Sequence, residues 1–109
     1  MMMMVSKGVQ NPIRYDEEEV YNVVAMFKAL SDPTRLQIIS VLSQDSSICV
    51  SDIAQLLNMS ISRVSHHLGI LEKLGFTRHK QNGKQVYYTI DDDCIVDILA
   101  RAHEHVRGS

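Results

Sequence analysis

Two short amphipathic segments lie on either side of the tripeptide Asn58-Met59-Ser60, and few folds accommodate such a connection. The first segment has Ser51 and Asp52 as candidate N-caps and carries Ile53, Ala54, Leu56 and Leu57. Ser60 is a candidate N-cap for the second segment, and a glycine that suits a helix C-terminus follows it; its apolar face comprises Ile61, Val64, Leu68 and Leu71. A three-residue turn between two short helices predicts a helix-turn-helix.

A β-hairpin is predicted directly after this pair of helices. Residues 76–80 and 85–90 are rich in β-branched and aromatic side chains, and Asn82-Gly83 lies between them. Asn-Gly between two such runs is a strong hairpin signal, because both residues tolerate the positive φ angles of tight turns.

Three further amphipathic helices flank these elements. From Asp16, an acidic turn leads into the stripe Val20, Val23, Val24, Phe27 and Leu30. Asp32 and Pro33 suit the start of a second helix, whose predicted buried face is Leu36, Ile38, Ile39 and Leu42. A last helix is predicted from Asp92 to Arg107. The order ααααββα, mainly α with a β-hairpin wing, is that of a winged helix-turn-helix.

The length of 109 residues allows one compact domain. We expect residues 1–15 to form a flexible N-terminal tail and residues 16–109 to form the domain. No apolar run approaches the roughly 18 residues of a membrane span, so we expect a cytoplasmic protein without a membrane partner. Cys49 and Cys94, 45 residues apart, are interpreted as thiols or ligands rather than as a disulfide.

The charge is unevenly distributed along the chain. The net charge is −2, yet residues 60–84 carry five basic side chains against Glu72 alone. An exposed helix more usually alternates acidic and basic residues. The predicted helix that Ser60 begins instead has short or hydrogen-bonding side chains on its polar face, and these suit base edges. The hairpin cations suit phosphates instead. The predicted DNA-binding residues are Ser60, Ser62, Arg63, Ser65, His66 and His67 on the helix, and Arg78, Lys80 and Lys84 on the hairpin. The alternative is that these residues form an ordinary solvated surface.

Three stretches together resemble the ArsR/SmtB family of bacterial repressors, and the resemblance covers about residues 20–107. They are Ala29-Leu30-Ser31-Asp32-Pro33-Thr34-Arg35-Leu36, the run from Ser60 to Leu68 followed by Leu71 and Gly75, and Gly83-Lys84-Gln85-Val86-Tyr87-Tyr88. The resemblance implies a homodimer, joined through its first and last helices, that binds double-stranded operator DNA. It also implies release from the operator when an inducer, usually a metal ion, is bound.

The last helix carries candidate metal ligands: Asp92, Cys94 and His105. Eleven residues separate Cys94 from His105, which puts them on nearly one face but about 16 Å apart along the axis. Ligand bonds of about 2.0–2.3 Å therefore require an antiparallel pair of these helices, with Asp92 and Cys94 from one subunit and His105 from the other. The resemblance to zinc-responsive members supports this set, and we expect zinc, with cadmium, cobalt or nickel as alternatives.

Several alternatives remain at this site. Gly108 stands where the family pattern has a fourth ligand, and glycine has no side chain that could bind a metal. The fourth ligand position is therefore filled by water, by Glu104 or by His103, or it stays empty. Asp92 also suits a helix cap, Cys94 a dimer interface, and an isolated histidine is often structural.

Two other thiol functions are weaker. The segment Cys49-Val50-Ser51-Asp52 resembles the family's Cys-Val-Cys-Asp motif with one thiol missing, so we expect Cys49 to be a core residue. A redox-sensing thiol and a metal-independent repressor are the rival functions, and an enzyme has little support because no orienting third group accompanies a cysteine and a histidine.

Overall fold

The computed structural model describes residues 13–108 and confirms a winged helix-turn-helix. Residues 1–12 of the predicted tail lie outside the described residues, whereas residues 13–15 are exposed and precede the first helix. The elements are α1 (Glu17–Leu30), α2 (Pro33–Gln44), β1 (Ile48–Cys49), α3 (Val50–Leu57), α4 (Ile61–Lys73), β2 (Thr77–Asn82), β3 (Gln85–Ile90) and α5 (Cys94–Arg107). We call α4 the recognition helix and the β2–β3 hairpin the wing.

Local capping interactions explain where three of the five helices begin. Asp16 and Glu19 form a reciprocal capping box at the start of α1. The carboxylate of Asp32 accepts from the Arg35 N–H at the start of α2, where Pro33 is the first helical residue. The hydroxyl of Ser60 accepts from the Arg63 N–H at 3.1 Å and begins α4.

Two predicted helix starts are wrong. The cap of α3 is Cys49, which makes no side-chain cap hydrogen bond, rather than Ser51 or Asp52. Strand β1 runs directly into α3, so the chain enters that helix from a sheet and not from a polar loop. Helix α5 begins at Cys94 rather than at Asp92, because the Asp92 carboxylate accepts from the Cys94 N–H in a turn that precedes the helix.

The connection between α3 and α4 is as tight as predicted. Asn58 adopts the left-handed conformation with φ of 56°, and the Met59 N–H donates to the Ala54 carbonyl at 2.9 Å. Asparagine tolerates this conformation better than most residues, so it ends α3 and reverses the chain. The helix-turn-helix therefore comprises α3, the turn 58–60 and α4.

The sheet differs from the predicted two-stranded hairpin in two respects. It has three antiparallel strands in the order β1-β3-β2, because Ile48 and Cys49 pair with Tyr88 and Tyr87. The predicted order ααααββα omits β1, since a two-residue strand leaves no periodic pattern. The turn is also one residue later than predicted: Asn82 pairs with Gln85, and Gly83-Lys84 is the two-residue loop.

The core lies between α2, α3, α4 and the sheet, with Ile95 of α5 closing one side. Its fully buried side chains include Ile38, Ile39, Leu42, Ile53, Val64, Leu68, Leu71 and Phe76. Thus α4 is anchored by three apolar residues while its other face remains open to solvent.

Several apolar residues predicted to face the core are exposed instead. In α1, Val20, Val24 and Phe27 are 45–54% exposed, because this helix packs on α2 through its C-terminal end, where Leu30 is buried. Helical periodicity also misassigned Leu36, Leu56, Ile61 and Val106, which are all exposed. Among the helices of residues 13–108, we find none with the length and apolar character needed to cross a bilayer.

Candidate nucleic-acid interface and ligand residues

The recognition helix presents a polar face opposite its buried stripe. Ser62, Arg63, Ser65 and His66 are exposed on this face, and Ser60 stands at its N-terminal end. The polar side chains of this face are short hydroxyls, one guanidinium and one imidazole, and the exposed Ile61 lies one turn before Ser65, so the helix backbone has room to approach a DNA groove. These predicted residues are brought together on one surface.

His67 is directed elsewhere. Its side chain is only 14% exposed, and its Nδ1 lies 3.0 Å from an Arg35 guanidinium nitrogen. Because arginine only donates, Nδ1 accepts and the ring is the neutral Nε2–H tautomer. Nδ1 also lies 3.9 Å from the Asp32 carboxylate, which is too long for a hydrogen bond and, with a neutral ring, is not an ion pair. His67 therefore does not belong to the exposed polar face of the recognition helix.

The wing carries the remaining predicted cations. Lys80 and Lys84 are exposed on β2 and in its turn, whereas Arg78 donates to Asp91 at 3.0 Å in an exposed ion pair. A cleft of about 430 Å³ separates the wing from α3 and α4, and its lining includes Ser65, His79 and Lys84. The recognition helix and the wing thus form two sides of one surface.

The N-terminal end of α5 holds two of the predicted metal ligands side by side. Asp92 Oδ1 accepts from the Cys94 N–H at 3.0 Å, and both residues are exposed. Burial raises the pKa of the Cys94 thiol, and the carboxylates of Asp92 and Asp97 raise it further. The negative potential that disfavours the thiolate also favours a bound cation.

His105 lies near the other end of α5 and is exposed. His103 lines an apolar groove of about 660 Å³ between α2 and α5, together with Leu36, Leu99 and Val106. A carboxylate oxygen of Glu104 lies 3.5 Å from a guanidinium nitrogen of Arg101. Gly108 ends the helix in a left-handed conformation. Within residues 13–108 no three His, Cys, Asp or Glu side chains are clustered closely enough to hold an ion.

Cys49 lies in the core, as predicted, and its Sγ contacts the Ser51 hydroxyl at 3.3 Å. The candidate site residues therefore fall into two regions: the polar surface of α4 and the wing, and the exposed face of α5.

Comparison with known proteins shows which family the chain belongs to. Residues 32–78 match the family described as "Bacterial regulatory protein, arsR family". The chain is 41% identical over 86 residues to a homologue of the cadmium resistance transcriptional regulatory protein CadC from Staphylococcus aureus, an alignment that covers 79% of this chain and 71% of that protein. The chain belongs to the ArsR family.

Solved structures agree with this membership. The AntR antimony-specific transcriptional repressor superimposes with a TM-score of 0.82 at 25% identity and covers 97% of this chain and 96% of its own. The homodimeric winged helix-turn-helix DNA-binding domain of Mb0332 from Mycobacterium bovis gives a TM-score of 0.74 at 25% identity, covering 88% of this chain and 94% of that one. As an ArsR-family member, the chain is a DNA-binding transcriptional repressor and not an enzyme.

Sequence reasoning missed two side-chain links that position the recognition helix of this ArsR-family chain. Arg35 donates from Nε to the Ala29 carbonyl at 2.7 Å and from its guanidinium to His67, so it connects α1, α2 and α4. Glu72 accepts from His79 of the wing. Arg35 lies within the first stretch that resembles the family, and Glu72 is the single acid of the basic segment. Both features indicated that the side chain has a hydrogen-bond partner elsewhere in the fold.

Proposed function

We propose that this chain forms a homodimer that binds operator DNA and leaves it when zinc, or a similar divalent ion, binds between the two copies of α5. The observation that carries the proposal is the placement of exposed Asp92 and Cys94 at one end of α5 and exposed His105 near its other end. Such ends meet when two copies of a helix pair in opposite directions.

Unpaired apolar surface supports the dimer. Val20, Tyr21, Val24 and Phe27 of α1 are all at least 45% exposed, and Val106 of α5 is 82% exposed. Patches of this kind on a small domain mark interaction surfaces. The structural relative Mb0332 is described as homodimeric, which favours the same assembly here.

The donor set fits a borderline or soft divalent ion. The Asp92 carboxylate accepts from the backbone N–H of Cys94 at 3.0 Å and helps raise the pKa of the Cys94 thiol, so each copy offers a carboxylate and a thiol close together. A thiolate with imidazole and carboxylate suits zinc and cadmium, and it is also compatible with cobalt or nickel. When bound, the ion supplies a cross-link between two subunits and drives the thiol to lose its proton.

Release from DNA requires only that the two states of the dimer differ in affinity. In the metal-free dimer, α4 and the wing of both subunits fit an inverted repeat in the DNA. When the metal ion cross-links the two α5 helices, the arrangement of the subunits changes and the same DNA is bound more weakly. By linkage, DNA then weakens metal binding by the same factor, typically about 5–150-fold. We expect this exchange to take place in the cytoplasm.

The test is a fluorescence anisotropy titration of a duplex that the wild-type protein selects from a random-sequence pool, with and without ZnCl2. Zinc weakens DNA binding by the wild type, whereas Cys94→Ser and His105→Ala lose both zinc binding in equilibrium dialysis and the response of DNA affinity. Cys49→Ala is the matched control, because it removes the buried thiol of the core and leaves Asp92, Cys94 and His105 in place. Unchanged DNA affinity at saturating zinc contradicts the proposal.

A thiol redox sensor is the second candidate, favoured by the exposure of Cys94. The raised pKa of Cys94 lowers its thiolate fraction, and the thiolate is the reactive form, so we rank this function below metal sensing. Release of DNA by hydrogen peroxide, but not by zinc, would reverse that order.

A further inference from the structure

The recognition helix carries one acidic side chain in a segment that is otherwise rich in cations. Glu72 is the only acid between residues 60 and 84, and it lies in the last turn of α4. A carboxylate near a DNA backbone repels the phosphates and weakens binding. A specific contact must offset that cost if the residue contributes to function.

The contact is with the wing. His79 of β2 places its Nδ1 at 2.7 Å and 2.9 Å from the two carboxylate oxygens of Glu72. A carboxylate only accepts, so Nδ1–H donates, and its hydrogen is shared between the two oxygens. The last turn of α4 is thereby joined to the middle of β2.

His79 also contacts an aromatic ring of the sheet. It pairs with Tyr88 across the sheet, and the two ring centroids are 5.4 Å apart. Tyr88 is buried, so the imidazole is fixed between a core aromatic ring and the carboxylate of α4. His79 also lines the cleft between the recognition helix and the wing, with Lys84 nearby on the same cleft.

The wing needs such support because β1 pairs only with Tyr87 and Tyr88 of β3, and the rest of the hairpin has two strands, which alone are marginally stable in water. We propose that Glu72 and His79 are positioning residues: their hydrogen bond holds the wing against the recognition helix, so that Lys84 reaches the DNA backbone while α4 lies in a groove. This rests on DNA binding by α4 and the wing, and it is independent of metal release.

Two readings of Glu72 predict opposite effects of its removal. If Glu72 is only a repulsive charge, its replacement by any neutral residue tightens DNA binding. If Glu72 positions the wing, only a residue that accepts a hydrogen bond preserves binding. Glu72→Ala and Glu72→Gln remove the same charge, and only glutamine keeps an acceptor for His79.

The experiment measures DNA affinity of the full chain in EDTA by fluorescence anisotropy, from 50 to 300 mM KCl, on a duplex selected by the wild type from a random pool. Glu72→Ala weakens binding by about three- to fivefold, the range expected when one hydrogen bond between half-exposed side chains is lost, and Glu72→Gln does not weaken it. The slope of log K against log salt becomes shallower by about one in Glu72→Ala, as for one lost phosphate contact.

A second pair of variants separates positioning from folding. His79→Leu keeps an apolar contact with Tyr88 but has no donor, so we expect it to weaken DNA binding as much as Glu72→Ala does. It takes the place of Glu72→Ala if that variant does not fold. Lys84→Gln weakens the wild type but has little further effect in His79→Leu, because the lysine no longer reaches the backbone. A purely structural role would leave the salt slope unchanged.

Equal affinities of Glu72→Ala and Glu72→Gln, or a full effect of Lys84→Gln in His79→Leu, overturn the positioning role while DNA binding by the wild type stands. Failure of the wild type to enrich any duplex overturns both proposals. Because EDTA is present throughout, loss of the zinc response alone affects only the proposed function.

Discussion

Replacing Thr77 with valine stabilises the fold. Thr77 is 1% exposed at the start of β2, and its hydroxyl has no hydrogen-bond partner within residues 13–108. Burying an unpaired hydroxyl costs about 1–3 kcal/mol in proteins. Valine has nearly the same shape and the same branching at Cβ, so it removes this cost without disturbing packing or strand propensity. We expect Thr77→Val to raise the free energy of unfolding by about 1–2 kcal/mol.

The measurement is urea unfolding followed by circular dichroism. With a slope of about 1–2 kcal/mol per molar, the transition midpoint of Thr77→Val rises by about 1 M while the slope stays constant. Thr89→Val is the matched control, since Thr89 is a partly exposed strand residue of β3, and its effect stays within about 0.5 kcal/mol. A midpoint that is unchanged or lowered in Thr77→Val refutes the reasoning, because it shows that the hydroxyl has a hydrogen-bond partner in solution.

Three further changes test other parts of the fold. Leu68→Ala empties a fully buried position of α4 and lowers the free energy of unfolding by about 2–5 kcal/mol in the same urea assay; a loss below 1 kcal/mol is inconsistent with this packing. Burial lowers the pKa of His67, the Asp32 carboxylate raises it and the Arg35 guanidinium lowers it, with a net decrease, so the neutral ring is favoured in the fold. The neutral His67 ring therefore stabilises the fold fully above the ordinary histidine pKa of about 6.5, and this stabilisation is lost as the pH falls below that value. Between pH 7.5 and 5.5 we expect the free energy of unfolding to fall more in the wild type than in His67→Gln. Equal losses argue against a neutral His67 in the fold. Gly83→Ala costs about 1 kcal/mol because Gly83 has φ of +65° with open space around it, and an unaltered urea midpoint disagrees with that turn geometry.

The exposed polar face of α4 was largely predictable because it depends on one helix and its periodicity. Val64, Leu68 and Leu71 share the buried face of α4, and the exposed serines and Arg63 follow from their positions between them. His67 escaped this reasoning. Its partner Arg35 is 32 positions away in the sequence, and no local pattern reports such a contact.

The metal-binding prediction shows the same division. Helical geometry alone separates Cys94 from His105 along α5, and the structure places His103 on the α2 groove. The meeting of those ligands across two subunits stays a prediction, since it depends on contacts between copies of the chain.

Interactions within a few residues decided where α2 and α4 begin and where the chain turns after α3, and the sequence alone therefore determined these points. The Asp32 and Ser60 caps and the left-handed Asn58 each depend on atoms at most four positions apart. Tertiary structure decided which apolar faces are buried and which polar groups are paired. The exposed stripe of α1, the pairing of Ile48 with Tyr88 and the link between Glu72 and His79 require distant segments to pack, and that packing is set by the shape of the whole core.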